Sequence, residues 1–513
     1  MYQDLIVINP ADSVAVACRE LREGELIPLS GGEVRIRETI PAGHKTAIRD
    51  LAEGEAVVKY GSVIGYARCP IGAGSWVHTH NLHTGLKGLQ SYTYEPAKEA
   101  AQESAAGSCE QAGEAGSGEQ TAENRTFRGY LRRSGEAGTR NDIWIIPLVS
   151  CVNRTVRRIV EKARPLIGGR CDDILALPHN AGCSQLGEDL WRTQKILANL
   201  VHHPNAGGVL LVSLGCENND FEHFLPVLGD VDPERVRMMI CQEVDGDETE
   251  RGLALVEELL EVTKKDRRVP VPVTRLKIGM KCGSSDGFSG ITANPLCGMI
   301  SDRISALGGT AFLTEVPEMF GAETFLMNRC VNEGEFRKVV SMINGFKEYF
   351  IGYHQPVYEN PSPGNVRQGI TTLEEKSLGC IQKGGKAPVT ATLDYGERSE
   401  KCGLNLMTGP GNDSVSITNL VSGGAQVLLF TTGGGNPLGT VVPTIKISSN
   451  TKLYQRKGNW IDFDAGSLIE TGDYRKEADR LWTYILEVAS GRRTRNEEEG
   501  YQDILIFKDG VTL

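Results

Sequence analysis

Apolar and polar positions change rhythm twice along the 513-residue chain. Up to residue 94 the apolar runs are short and alternating, as in EVRIRETI, EAVVKYGSVIGYA and SWVHTHNL. A period of two predicts half-buried strands joined by tight turns, so residues 1–94 read as a small all-β domain. Residues 95–125 contain EPAKEAAQESAAGSCEQAGEAGSGEQTAEN, which is poor in branched apolar side chains. Such a stretch cannot offset the entropy of ordering itself; it predicts a flexible linker, with Cys109 a bystander inside it.

From residue 126 each apolar run is followed by a turn and then by helical periodicity. DIWIIPLVS precedes VNRTVRRIVEKA, DDILALPHN precedes a helix opening at Gln-Leu-Gly-Glu, and GGVLLVSLG precedes NNDFEHFL. Alternating β and α units predict a mainly parallel sheet covered by helices. The charged break KKDRRVPVP closes this middle α/β domain at residue 272. A second α/β unit, 273–513, runs through RLKIGMKCG, GGTAFLTEV and AQVLLFTTG, with Gly-rich segments just after predicted strands.

Charge narrows the partners. Lys and Arg total 55 against 66 Asp and Glu, a net −11, so no broad basic face is available for nucleic acid or an anionic membrane. MYQDLIVINPADSVAV has no basic lead into a long apolar run, and no stretch of about 18 apolar residues follows, which predicts a cytoplasmic protein. Thirteen scattered cysteines argue against a disulfide framework and leave thiols for packing or metal.

The thiols are also regularly placed. Cys151, Cys183, Cys216 and Cys282 each fall at or soon after the end of an apolar run, in LVSCVN, NAGCSQ, SLGCENN and MKCGSSDG. In open α/β sheets ligands bind beyond the strand C-termini, so these four are the candidate metal ligands. No CxxC pair is present to name the metal. KCGSSDGFSGITANP adds the Ser284 and Ser285 hydroxyls and the Asp286 carboxylate on a loop that suits a polyhydroxy acid. TEVPEMFGAE places Glu315, Glu318 and Glu323 after a strand, as ligand or base.

WVHTHNLH is the densest histidine group, and on a strand His78 and His80 would share one face. His44 and Lys45 of GHK, with Arg140 and Asn141 of GTRN, offer groups for a substrate carboxylate. His179 and Lys376 complete the acid–base candidates, although Glu374, Glu375 and Lys376 in sequence read as a solvated charged face. FTTGGGNPLG lacks the Lys-Ser/Thr or GxGxxG context of a nucleotide loop.

Together these segments resemble the altronate dehydratase family, related to galactarate dehydratase and sulfolactate lyase. The resemblance rests on GHK, KYGSVIGYA, VHTHN, GTRNDIWIIP, GCSQLGEDL, HPNAGGVLLVSLGCENND, DGFSGITANP, TEVPEMFGAE, ENPSPGN, GITTLEEKSLG, VVPTIKISSN, WIDFDAG and IFKDGVTL, in that order. It implies an N-terminal SAF-type β-clip domain, a middle domain and a Rossmann-like C-terminal domain. It also implies loss of water from D-altronate to give 2-dehydro-3-deoxy-D-gluconate in hexuronate (galacturonate) catabolism. Ferrous iron is the implied cofactor, with Mn2+ as a substitute and an iron–sulfur cluster as an alternative. The implied assembly is a homodimer, and Asn365 of ENPSPGN joins the substrate-binding candidates. The chain departs from the family where FTTGRGTPxG usually stands: Gly434 replaces the Arg. Galactarate dehydratase and sulfolactate lyase are the enzyme alternatives, told apart by a second carboxylate or a sulfonate opposite the substrate carboxylate. The lost Arg counts against the dicarboxylate galactarate and motivates a third alternative, a non-catalytic sugar-acid-binding protein.

Overall fold

The computed structural model describes residues 4–29, 32–96 and 125–513. Cys109 and most of the expected linker lie outside these residues. The N-terminal domain is all β, as the period-two pattern predicts. Its antiparallel ladders pair Val14–Ala17 with Lys45–Ala47, and Ala56–Lys59 with Ser62–Ala67.

The middle domain holds a four-stranded parallel sheet of β1 (Asp142–Pro147), β2 (Ile174–Ala176), β3 (Ala206–Ser213) and β4 (Val236–Ile240), in the order β2-β1-β3-β4. Helices α1 (Asn153–Ala163) and α2 (Gly187–Val201) follow β1 and β2. All of β1 is buried, which explains why DIWIIP runs apolar rather than alternating. KKDRRVPVP is more than a break: Val269–Pro272 pairs antiparallel with Thr126–Gly129, so the strands at the two ends of the middle domain lie side by side.

The C-terminal domain is a seven-stranded, wholly parallel sheet. Its strands are β5 (Lys277–Cys282), β6 (Thr310–Leu313), β7 (Val389–Leu393), β8 (Gly403–Met407), β9 (Val427–Thr432), β10 (Thr444–Ser448) and β11 (Phe463–Asp464). The order β7-β8-β6-β5-β9-β10-β11 reverses direction between β5 and β9. Crossovers from these two strands leave on opposite sides, which opens a crevice at their carboxyl ends. The two α/β sheets share one core, in which Trp144 and Leu148 join Phe312, Met407 and Phe430. Among the described residues no helix is long and apolar enough to cross a membrane.

The N-terminal domain docks onto α3 (Pro363–Arg367) and α4 (Leu373–Cys380) of the C-terminal domain. Buried Lys45 and Lys59 both reach Glu375, each at 2.8 Å. Approach is close enough to demand glycine. A methyl on Gly287 would lie 1.8 Å from the Gly43 carbonyl oxygen, and Gly369, at φ +97°, faces the same oxygen.

Candidate active site

At the switch point the carboxyl end of β5 delivers Cys282. Helix α4 ends on Cys380, and the turn after β6 carries Glu315 and Glu318. The two thiols stand 3.4 Å apart, and Glu318 Oε2 lies 3.3 Å from Cys282 Sγ and 3.1 Å from Cys380 Sγ. These three buried side chains are a group able to hold a metal ion. Their donor chemistry fits a divalent transition metal: two soft sulfurs and one carboxylate oxygen converge within the spacing a single ion imposes.

Charge around the group is balanced. Lys376 Nζ sits 3.0 Å from Glu318, Lys383 Nζ 2.9 Å from Glu315, and Lys281 bridges Glu315 and Asp413. Three ammonium groups therefore meet three carboxylates, and a pair of thiolates would be matched by a dication. Burial opposes the charge on Lys376, but Glu318 outweighs it and holds the ammonium above its ordinary range. Burial likewise resists ionisation of Glu318, yet Lys376, Lys281 and Lys383 pull its carboxyl well down. Glu315 adopts the left-handed region at φ 71°, a conformation non-glycine residues take only where surroundings hold them. Its carboxylate, ion-paired to two lysines, also accepts from the Cys282 amide at 3.2 Å.

Several expected residues gather around this centre. Lys376 also donates to Asn365 Oδ1 at 3.1 Å, and Asn365 Nδ2 donates to the Ser285 carbonyl at 2.9 Å. Asp286 accepts from Ser289, Ser449 and Asn450 at 2.7–3.0 Å, so the DG loop is pinned to the end of β10. Gly434 lies against this loop: a side chain there would start 2.4 Å from Ser284 Oγ and 2.9 Å from Gln368 Nε2.

Other candidates have different occupations. Arg140 is held by Glu497, at 2.6 and 2.9 Å, and Asn141 by Thr263 and Arg132. Lys45 is engaged with Glu375 rather than open to a ligand. His78 and His80 do not share a strand face, because the strand stops at Val77 and Asn81 folds the next residues into a turn. His78 Nε2 meets the Val366 carbonyl at 3.0 Å, while His80 is exposed beside Trp76. Glu323 pairs with Lys347 and Tyr92. Glu374, Glu375 and Lys376 are all buried, the reverse of a solvated face, because each finds a partner across a domain or element boundary. Cys151, Cys183 and Cys216 are exposed on the middle domain and do not join Cys282.

His179 is buried with both ring nitrogens used, by the Pro147 carbonyl at 2.7 Å and the Ala181 amide at 3.2 Å. Burial lowers it to about 4 and lowers His203 to about 3, against an ordinary 6.5. Below pH 6.5 the unfolded chain thus binds more protons than the fold. Stability is greatest above that value and falls as pH drops, by up to about 1.4 kcal/mol per pH unit for each ring. Denaturant midpoints at pH 7 and pH 5 will show the loss, reduced in a His203→Gln variant; equal slopes in both proteins would argue against it.

Two further residues near the candidate site carry little signal in the sequence. Cys380 closes a helix instead of following a strand. Lys446 sits on β10 in register with Phe430 and Lys281 across β9 and β5. Its Nζ is buried with no hydrogen-bond partner and lies 3.3 Å over the Phe430 ring. Burial pushes this amine well below the ordinary lysine range. Two open clefts, of about 970 and 650 Å3, lie elsewhere, around Tyr484 and Tyr395.

A parallel α/β sheet whose switch point gathers thiols, carboxylates and buried lysines has the make-up of an enzyme, with acid–base groups beside a donor set able to hold a metal ion. The chain matches three family descriptions in succession: the altronate/galactarate dehydratase SAF domain over residues 3–85, the D-galactarate dehydratase/altronate hydrolase second domain over 129–264, and the D-galactarate/altronate dehydratase C-terminal domain over 273–512. It is 46% identical over 514 residues to the altronate dehydratase of Bacillus subtilis (strain 168), covering 100% of both chains. It is also 46% identical over 510 residues to the altronate dehydratase of Escherichia coli (strain K12), covering 99% of each. The galactarate dehydratase (L-threo-forming) of E. coli is more distant, at 30% identity with 95% of this chain and 93% of that one covered. The chain belongs to the galactarate and altronate dehydratase family.

Proposed function

We propose that this enzyme dehydrates D-altronate to 2-dehydro-3-deoxy-D-gluconate, acting as a cytoplasmic homodimer in hexuronate catabolism. The observation that carries the reading is the Cys282, Glu318 and Cys380 group, with Lys376 bonded to Glu318, at the switch point of the C-terminal sheet. The full-length relatives at 46% identity, both altronate dehydratases, support the choice of sugar acid.

Ferrous iron held by Cys282, Cys380 and Glu318 would supply a Lewis acid for the negative charge that develops on the substrate carboxylate. The thiol pair favours iron over manganese, which prefers oxygen donors. The Ser285–Asp286 loop and Asn365 orient the hydroxyls. Lys446, whose free amine has no competing partner, takes the C2 proton. The C2–H electron pair becomes the C2–C3 double bond as the C3–O bond breaks. The Lys376 ammonium protonates the departing hydroxide, which leaves as water. The enol then takes a proton at C3 to give the 2-keto acid, with no net oxidation.

The test is anaerobic incubation of iron-loaded enzyme with altronate, galactarate, mannonate and sulfolactate, following 2-keto acid. Turnover of altronate above the others is expected, and its loss in Lys446→Met with iron and substrate binding retained. Preferred turnover of galactarate or sulfolactate would overturn the substrate; binding without turnover of any would favour a sugar-acid-binding protein. An active Lys446→Met variant would sink the base assignment.

A further inference from the structure

Three of the strand-end thiols form a second constellation, remote in sequence from the buried centre. Cys151, Cys183 and Cys216 are exposed free thiols on the loops after β1, β2 and β3. These strands are adjacent and parallel, so their loops leave from one edge of the sheet. Hydrogen bonds then draw the loops together. The Ser150 amide donates to the Ala181 carbonyl at 2.9 Å, the Asn219 amide to the Gly182 carbonyl at 3.1 Å, and the Ser184 amide to Asn218 Oδ1 at 2.7 Å. Asn219 Nδ2 reaches back to the Leu148 carbonyl at 3.0 Å. Each cysteine thus lies within three residues of a bond made on the Ala181–Ser184 segment.

The backbone here is committed rather than loose. Gly182, Ser184 and Gly215 all have positive φ, and Ser184, at 57°, is one of few non-glycine residues in that region. Packing leaves no slack, since a methyl on Gly182 would lie 2.1 Å from the Leu148 carbonyl oxygen. Glu217 turns its carboxylate inward, accepting from the amides of Leu214, Gly215 and Cys216 at 2.7–3.0 Å. The neighbouring Cys216 side chain is left facing out. On the far side the Leu513 amide donates to the Ser184 carbonyl at 3.0 Å.

We propose that Cys151, Cys183 and Cys216 are the three protein ligands of a cubane iron–sulfur cluster, whose fourth iron stays open for an oxygen ligand. An all-thiolate set drawn from three loops suits a cluster, which assigns each thiolate its own iron. The group of donors gathered within 4.8 Å among the described residues is the other one, Cys282, Glu318 and Cys380. On binding, each thiol gives its proton to solvent and forms one iron–sulfur bond. Equal amounts of ferrous and ferric iron with inorganic sulfide build the core without net electron transfer. The site is independent of the reading given for Cys282, Glu318 and Cys380.

The experiment is anaerobic reconstitution of the full chain with both iron states and sulfide, followed by desalting. Bound iron, acid-labile sulfide, visible absorption and the paramagnetic spectrum after reduction are then measured. The wild type should retain iron and sulfide in near-equal amounts with broad visible absorption. Cys151→Ser, Cys183→Ser and Cys216→Ser should each lose most of the sulfide with melting temperature unchanged, while Cys282→Ser and the exposed-thiol control Cys69→Ser keep it. A wild type that retains no sulfide, a triple serine variant that keeps the cluster, or iron or zinc bound by the triad without sulfide would each overturn the proposal.

Discussion

Glu375→Ala will cost about 3–5 kcal/mol of stability and release the N-terminal domain, the scale expected when one partner of a buried ion pair is removed. The carboxylate accepts from Lys45 and Lys59, both fully buried, and from the Thr371 amide and hydroxyl at 2.9 and 2.8 Å. Burial already lowers Lys45 to about 8, with Glu375 as the opposing influence. Without that carboxylate two ammonium groups must discharge or leave the interface, and both belong to the docked domain. Glu374→Ala is the comparison. Glu374 accepts only neutral donors at this interface, Thr84 and the Gly85 amide, so its loss should cost roughly 1–3 kcal/mol. Thermal melts and limited proteolysis of the 86–125 connection will separate the two. Equal melting temperatures for Glu375→Ala and wild type would show that the ion triad does not fasten the domain.

That docking shows what a sequence reading reaches and what it misses. The three-part architecture was legible because each part has its own apolar rhythm: short alternation before residue 94, then solid runs such as DIWIIP that only a doubly covered parallel strand explains. LEEKSLG misled for a physical reason. A run of charges is a solvated face unless partners arrive from elsewhere, and here they come from Lys45, some 330 positions away, and from Glu318. Periodicity carries no information about such contacts.

The candidate site, as a place in the fold, was half legible on the same grounds. Cys282, Glu315 and Glu318 were accessible because strand ends of an α/β sheet converge by rule. Cys380 was not, since it ends a helix and meets Cys282 only through a contact spanning 98 residues. The four-thiol reading merged two places, because strand-end position is shared by both sheets and cannot say which sheet a strand joins. His179 showed the opposite error: proximity to Cys183 in sequence suggested chemistry, but the ring spends both nitrogens on backbone.

Glu318→Gln should lower iron affinity at least about 10–100-fold, the range seen when residues merely supporting a metal ligand are changed. It should cut turnover about 100-fold or more. The amide keeps the shape of the side chain but not its charge, so both thiols lose their anionic companion at 3.1 and 3.3 Å. Lys376 loses its ion pair at 3.0 Å and keeps only the Asn360 and Asn365 side-chain oxygens, so the proposed proton donor is mispositioned as well. Glu323→Gln is the control, five residues on in the same segment but bonded to Lys347 and Tyr92. It should lose stability without losing iron or kcat. Iron content after desalting reads the ligand role, and kcat against KM at saturating iron reads the role in holding Lys376. If Glu318→Gln binds iron as wild type does and only KM rises, Glu318 belongs to substrate binding and the thiol pair must find its third donor elsewhere.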